Sequence, residues 1–186
     1  GEDGRPSTGW HAQFGDIDND GRPDLFISKG NVDQMPGMAM EDPNNLLMQT
    51  PDGDFIEMAV SADVATTARS RGAALVDLDG DGRLDLVVMN RRAPMELYRN
   101  ITEETGHWLA LTPSQPGGNA GAIGAVVTVR TETRTQSQQV VIGGGHAGGQ
   151  AGPLHFGLGD ATRVDVQIRW PDGTITTRQL DADQSY

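Results

Sequence analysis

The chain contains no cysteine, no long apolar run and little positive charge. The first absence removes disulfides, structural zinc thiolates and thiol nucleophiles together. No hydrophobic stretch approaches the ~18 residues of a membrane-spanning helix, and no signal peptide is read at the start. The chain is therefore expected to be soluble, a mature or truncated form of something secreted. With 14 Lys and Arg against 26 Asp and Glu, the formal net charge of −12 argues against nucleic acid and anionic membrane, which both demand a basic surface. Catalytic signatures are missing as well: GxxxxGK[ST], GxSxG and HExxH do not occur. Gly143, Gly145 and Gly148 satisfy GxGxxG numerically, but AGGQAGPLHFGLG behind them does not open a helix, so Gly143 to Gly152 is expected to be a flexible loop. His11, His107, His146 and His155 are scattered without ligand spacing, and only His146 and His155, which flank the glycine loop, form a pair worth following. No enzyme is expected.

Acidity of a particular kind is present. DIDNDGRPD (Asp16 to Asp24) and DLDGDGRLD (Asp77 to Asp85) place aspartates at offsets 1, 3, 5 and 9, glycine at 6 and arginine at 7, and they start 61 residues apart (77 against 16). Four carboxylates in one turn repel one another unless a cation sits between them. Calcium takes six to eight oxygens at about 2.3–2.6 Å, and side chains at offsets 1, 3, 5 and 9 with a carbonyl at 7 supply most of them. Magnesium fits less well, because it keeps several waters. Gly21 and Gly82 stand where the chain must turn sharply. An EF-hand is excluded at position 12, occupied by Ile27 and Val88 where a bidentate Glu is required. LFIS and LDLVVM after the loops favour strands, so each loop joins strand to strand. Acidic solvated turns without an ion are the alternative. Two bound Ca²⁺ would bring the charge to about −8. Because extracellular modules work at about 10⁻⁴–10⁻³ M calcium, the sites point to a secreted, extracellular or cell-surface location.

Around the loops, Trp10 to Asp16, Leu25 to Ser28, and Asn44 to Thr50 with Asp54 to Val60 across Pro51-Asp52-Gly53 read as four strands. Arg71 to Asp77, Leu84 to Asn90 and Met95 to Asn100 repeat the order, with His107 to Pro113 as the last strand, leading onward. Gly1 to Gly9 is a turn-rich tail or linker. QFGDIDNDGRPDLFI and ALVDLDGDGRLDLVV resemble FG-GAP or VCBS repeats, the integrin-type propeller blades. The resemblance covers Trp10 to Asn100 and implies calcium ligands Asp16, Asp18, Asp20, the Arg22 carbonyl and Asp24, with Asp77, Asp79, Asp81, the Arg83 carbonyl and Asp85 in a second site. Residues 10–106 would then form two calcium-binding repeats.

From His107 onward the texture changes. His107 to Pro113, Gly121 to Thr131, Gln138 to Gly144 and Val164 to Trp170 read as strands, the last with Val164, Val166, Ile168 and Trp170 on one face, and WPDGT turns into TITTRQL. LYRN, HWLAL, LHFGLGD and WPDG are similar to the ASPIC/UnbV domain, giving residues 107–186 as a small β-sandwich or barrel-like domain. Where that family has a serine- and aromatic-containing stretch before LHFGLG, this chain has GGGHAGGQAGP. Trp10, Trp108 and Trp170 are assigned to core packing rather than to a sugar platform. Asn100-Ile101-Thr102 is a glycosylation sequon, and TETRTQSQQ (Thr131 to Gln139) suits either O-glycosylation or an exposed strand.

The expectation is an all-β chain of two propeller-like blades followed by a small β domain. It is an extracellular calcium-binding structural or adhesion module. A propeller closes with at least about four blades, so two leave strand edges that template pairing. The chain is then a piece of a longer propeller, or covers its edges itself, or assembles with its own copies into an oligomer or fibre. Other extracellular proteins and glycans are the remaining partners. A carbohydrate-binding or glycan-acting domain of a larger secreted propeller is the competing function.

Overall fold

The computed structural model describes residues 4–32, 35–149 and 152–186. Residues 1–3 of the expected tail, and residues 150 and 151 of the expected glycine loop, lie outside the described residues. The chain is all-β, with no helix among the described residues and therefore none long and apolar enough to cross a membrane. Contacts divide it into two compact units, one of residues 1–17, 22–101 and 144–149, the other of 18–21, 102–143 and 150–186.

The first unit contains two antiparallel sheets. β1 (Gly9–Gly15), β2 (Asp24–Lys29), β3 (Asn45–Gln49) and β4 (Phe55–Glu57) lie side by side in chain order, as do β5 (Ser70–Val76), β6 (Asp85–Asn90) and β7 (Glu96–Tyr98). Alternation along β2 buries Asp24, Phe26 and Ser28 on one face. Phe26 and Leu46 of one sheet share a core with Leu75, Leu86 and Val88 of the other.

The sheets duplicate each other in register. Ala12 pairs with Ile27, Phe14 with Leu25 and Gly15 with Asp24; Ala73 pairs with Val88, Leu75 with Leu86 and Val76 with Asp85. Every pair is displaced by the 61 residues that separate the loops, and each ladder has its irregularity at the same end, between Gly9 and His11 and between Ser70 and Ala73. The third strands break the period: Leu25 pairs with Leu47, whereas Leu86 pairs with Tyr98, a displacement of 51 (98 against 47). The second copy thus has a shorter connection before its third strand, and among the described residues it has no fourth strand: the strand expected to complete it, His107 to Pro113, forms instead as His107–Leu111 in a sheet of the other unit.

The second unit packs two sheets over one core. β8 (His107–Leu111) lies between β13 (Leu154–Gly159) and β16 (Gln184–Ser185), which runs parallel to it. The order β10-β9-β14-β15 is formed by β9 (Val126–Arg130), β10 (Thr135–Gln139), β14 (Arg163–Arg169) and β15 (Ile175–Asp181). Leu109, Leu111, Phe156 and Leu158 from the first sheet meet Val127, Val129, Val164 and Val166 from the second. This is sandwich packing; no sheet among the described residues closes into a barrel. β11 (Gly143–Gly144) and β12 (Gly148–Gly149) form a two-residue ladder within the glycine-rich stretch.

Two expectations differ from the structure. The strand expected over Gln138 to Gly144 lies earlier, at Thr135–Gln139, inside the threonine-rich run. Gln136 and Gln138 donate to the carbonyls of Gly157 (2.6 Å) and His155 (2.5 Å), so inward amides fix a register that an apolar count misses. The tryptophans belong to neither core cluster. Each is half-buried: Trp10 donates to the Gly30 carbonyl and lies 4.4 Å under the Arg71 guanidinium, Trp108 stacks on His155, and Trp170 donates to Thr176.

Candidate metal centres

Both aspartate loops are strand-to-strand turns, from β1 to β2 and from β5 to β6, and their backbones bend alike. Offset 6 is left-handed in each, at Gly21 (φ 86°) and Gly82 (φ 83°), as glycine there anticipates. Offset 4 is left-handed too, at Asn19 (φ 58°) and Gly80 (φ 78°), a requirement met by the two residue types that tolerate it best.

In the first loop the carboxylates of Asp16, Asp18 and Asp24 offer oxygens that all lie within 4.8 Å of one another, and in the second those of Asp77, Asp79 and Asp85 do the same. Offsets 1, 3 and 9 therefore converge in both copies. Asp16 and Asp24 are 5% and 1% exposed, so two carboxylates are held close together away from water, an arrangement that favours a dication between them. The donors are hard oxygens, which suits calcium.

Offset 5 stands outside both groups. Asp81 binds the Arg83 side chain through Nε (3.1 Å) and Nη2 (2.5 Å), and Arg99 spans Asp79 (2.8 Å) and Asp81 (3.4 Å). The hydrogen bond from Arg83 holds the Asp81 carboxyl below the usual carboxylate range. Asp20 likewise lies outside its group, its N–H reaching Asp18 Oδ1 at 3.4 Å, as Asp81 N reaches Asp79 Oδ1 at 3.3 Å. The Arg22 side chain donates to the Gln49 carbonyl.

The aspartates at offset 9 have a second role that loop spacing alone does not reveal. Asp24 Oδ2 accepts from Ile17 N (2.8 Å) and its Oδ1 from Gln49 N (2.9 Å). Asp85 Oδ2 accepts from Leu78 N (3.2 Å) and its Oδ1 from Asn100 N (2.8 Å). Each carboxylate thus ties the start of its loop to the segment ending the third strand. Asn100, the sequon residue, is bound through its amide nitrogen to the carbonyls of Ile17 (2.9 Å) and Leu84 (3.3 Å), both of which a glycan on that nitrogen would disturb.

The two histidines flanking the glycine stretch have different partners: His146 meets the edge of Trp10 at 4.9 Å, and His155 Nε2 lies 2.7 Å from Asn19 Oδ1. His11 is 5% exposed, and burial depresses its pKa while the Gln13 hydrogen bond raises it.

An ASPIC and UnbV domain is found over residues 115–186, which hold β9 to β16. Among known proteins, the chain is similar to cartilage acidic protein 1 of Mus musculus, 30% identical over 120 residues that cover 62% of this chain and 18% of that protein. The Xenopus tropicalis protein of that name is 32% identical over 116 residues, 60% of this chain and 18% of its own. The Homo sapiens protein is 27% identical over 177 residues, 89% of this chain and 25% of its own. The chain therefore spans a quarter or less of the curated relatives' length.

Proposed function

We propose that this chain is a non-enzymatic, extracellular calcium-binding structural module, with one Ca²⁺ in each aspartate loop. The first site would use Asp16, Asp18 and Asp24, the second Asp77, Asp79 and Asp85, with Asp20, Asp81 and the carbonyls of Arg22 and Arg83 as further ligands. The observation that carries the reading is the duplication of donors and backbone together: three converging carboxylates at offsets 1, 3 and 9, with left-handed residues at 4 and 6, in both loops. An acidic turn without an ion has no physical need to repeat all of these. On this reading β1–β4 and β5–β7 are two blades of the FG-GAP or VCBS kind, and the cation acts as a clamp on the strand pair. The extracellular location is supported by the calcium such a clamp requires and by relatives named for cartilage. Calcium titration calorimetry on the full chain, with elemental analysis after gel filtration, tests it. Two ions per chain are expected; no bound calcium and no heat overturns the proposal.

Self-association through sheet edges belongs to the same reading. It is supported by β7, a three-residue outer strand with Leu97 (60%) exposed and Met95 (55%), just before it, exposed as well. Sedimentation in calcium tests it: a mass that rises with concentration is expected, and a monomer throughout the micromolar range refutes it.

A further inference from the structure

Three of the chain's seven methionines fall within six residues, Met35-Pro36-Gly37-Met38-Ala39-Met40, in the connection from β2 to β3 of the first unit. Methionine ordinarily fills gaps in a core. Met48 has that place, packed against the core cluster of the unit, whereas Met35, Met38 and Met40 belong to neither core cluster. Met35 is exposed and the other two are half-buried, so the run lies at the surface and packing does not account for it.

One side chain gathers the run. Asn31 is fully buried, and its amide nitrogen donates to the Met35 carbonyl (2.6 Å), to the Met38 carbonyl (3.3 Å) and to Met40 Sδ (3.5 Å). All three methionines thus converge on a single atom. Met38 N closes a turn on the Met35 carbonyl (3.0 Å), with Pro36 at the second position, where its fixed φ suits a turn. Met35 and Met38 therefore leave the same turn, and the Met40 thioether is brought back to it. Asn31 Oδ1 is left buried without a hydrogen-bond partner among the described residues, so the amide is oriented toward the methionines at a cost in desolvation.

Thioether sulfur is a soft, uncharged ligand of the kind that selects copper(I), whereas the carboxylates of the aspartate loops suit calcium. In a chain without cysteine, methionine is the only sulfur there is. Unlike a thiol or an imidazolium, a thioether has no proton to lose before it binds a metal. Methionine also has three rotatable bonds, so sulfurs leaving one turn can close on one ion. We propose that Met35, Met38 and Met40 form a copper(I) site, with Asn31 as the residue that positions them. It does not depend on the calcium reading.

The test is anaerobic titration of the full chain with copper(I) in millimolar calcium, with bicinchoninate as the competing chelator. One copper(I) binds per chain, excess calcium does not displace it, and the affinity is the same at pH 7 and pH 5. With ¹³C in the methionine methyls, one equivalent of copper(I) moves the signals of Met35, Met38 and Met40 and leaves those of Met48, Met58, Met89 and Met95 in place. Met40→Leu weakens binding by about tenfold or more, since even losses around the ligands of a metal site cost about 10–100-fold. Met35→Leu/Met38→Leu/Met40→Leu abolishes it while the melting temperature holds, because Leu for Met nearly conserves volume. Met58→Leu/Met89→Leu/Met95→Leu removes as many sulfurs from exposed positions of the same unit and leaves binding intact. The methyl spectra use the parent chain, so they decide the matter even where a variant folds poorly. No bound copper(I), methyl shifts spread equally over the exposed methionines, equal loss in the Met58/Met89/Met95 variant, or an affinity that falls steeply toward pH 5, as imidazole ligands would give, overturns the proposal.

Discussion

Asp85 is 4% exposed, and both of its carboxylate oxygens accept backbone N–H groups, from Leu78 and Asn100. An asparagine there turns an NH₂ toward one of those donors. Asp85→Asn should therefore destabilise the chain by about 2–4 kcal/mol even in EGTA, since a charged hydrogen bond contributes about 1.5–3 kcal/mol and an orphaned buried donor costs about as much. Asp79, whose side chain is 41% exposed and paired with Arg99, contrasts with it. Asp79→Asn should lie within about 1 kcal/mol of the parent in EGTA and fall behind only in calcium. Urea denaturation with and without the ion separates the two roles; equal effects of both variants in EGTA would refute the assignment of offset 9 as a tie. The converging positions were legible in the loop motif, because offsets 1, 3 and 9 are local. The tie was not, because Gln49 and Asn100 meet their aspartates only after a third strand has paired. His11 carries a pH prediction at the same scale. Burial lowers its folded pKa below the ordinary histidine value of 6.5. Above that value the ring is neutral in both states and contributes nothing to the pH dependence. As pH falls through it, the unfolded chain takes the proton first and stability is lost. His11→Gln should show a shallower decline of stability from pH 7 to 5 than the parent, measured by chemical denaturation.

At the scale of strands, short apolar runs located β2 and β6, and alternation of apolar residues located β14, where Val164 and Val166 are buried on one face. It failed at β10, where the inward positions are glutamines satisfied by carbonyls. The aspartate offsets showed the duplication of the loops without the change of period at the third strand. That change depends on the connector before β7, and a connector leaves no periodic trace. The consequence is a second sheet that ends at β7. Leu97 pairs with Val87 on its inner side and is 60% exposed. Leu97→Lys removes no buried contact, so folding stability should change by no more than about 0.5 kcal/mol. A lysine on an edge strand opposes pairing with another chain. Light scattering in calcium should then show less self-association than in the parent, and an unchanged concentration dependence would place any assembly elsewhere.

For the molecule as a whole, charge and metal are one question. The formal charge of −12 is the setting in which each loop gathers three carboxylates within 4.8 Å. Repulsion within each group weakens the folded state unless cations enter, so calcium bound as proposed would contribute both by filling the loops and by bringing the charge to about −8. At calcium about 100-fold above the dissociation constant, each site stabilises the native state by roughly 2.7 kcal/mol. For a chain of this size 1 kcal/mol moves the melting temperature by about 2–4 °C, so two sites correspond to about 10–20 °C. Scanning calorimetry in calcium and in EGTA should show a drop of that order on chelation. Added sodium chloride should recover part of the loss in EGTA, where like-charge repulsion is unscreened, and little in calcium, where the ions already neutralise the loops. A melting temperature indifferent to EGTA, with the same salt dependence in both conditions, would mean that the carboxylates are held apart by the arginines and backbone amides alone.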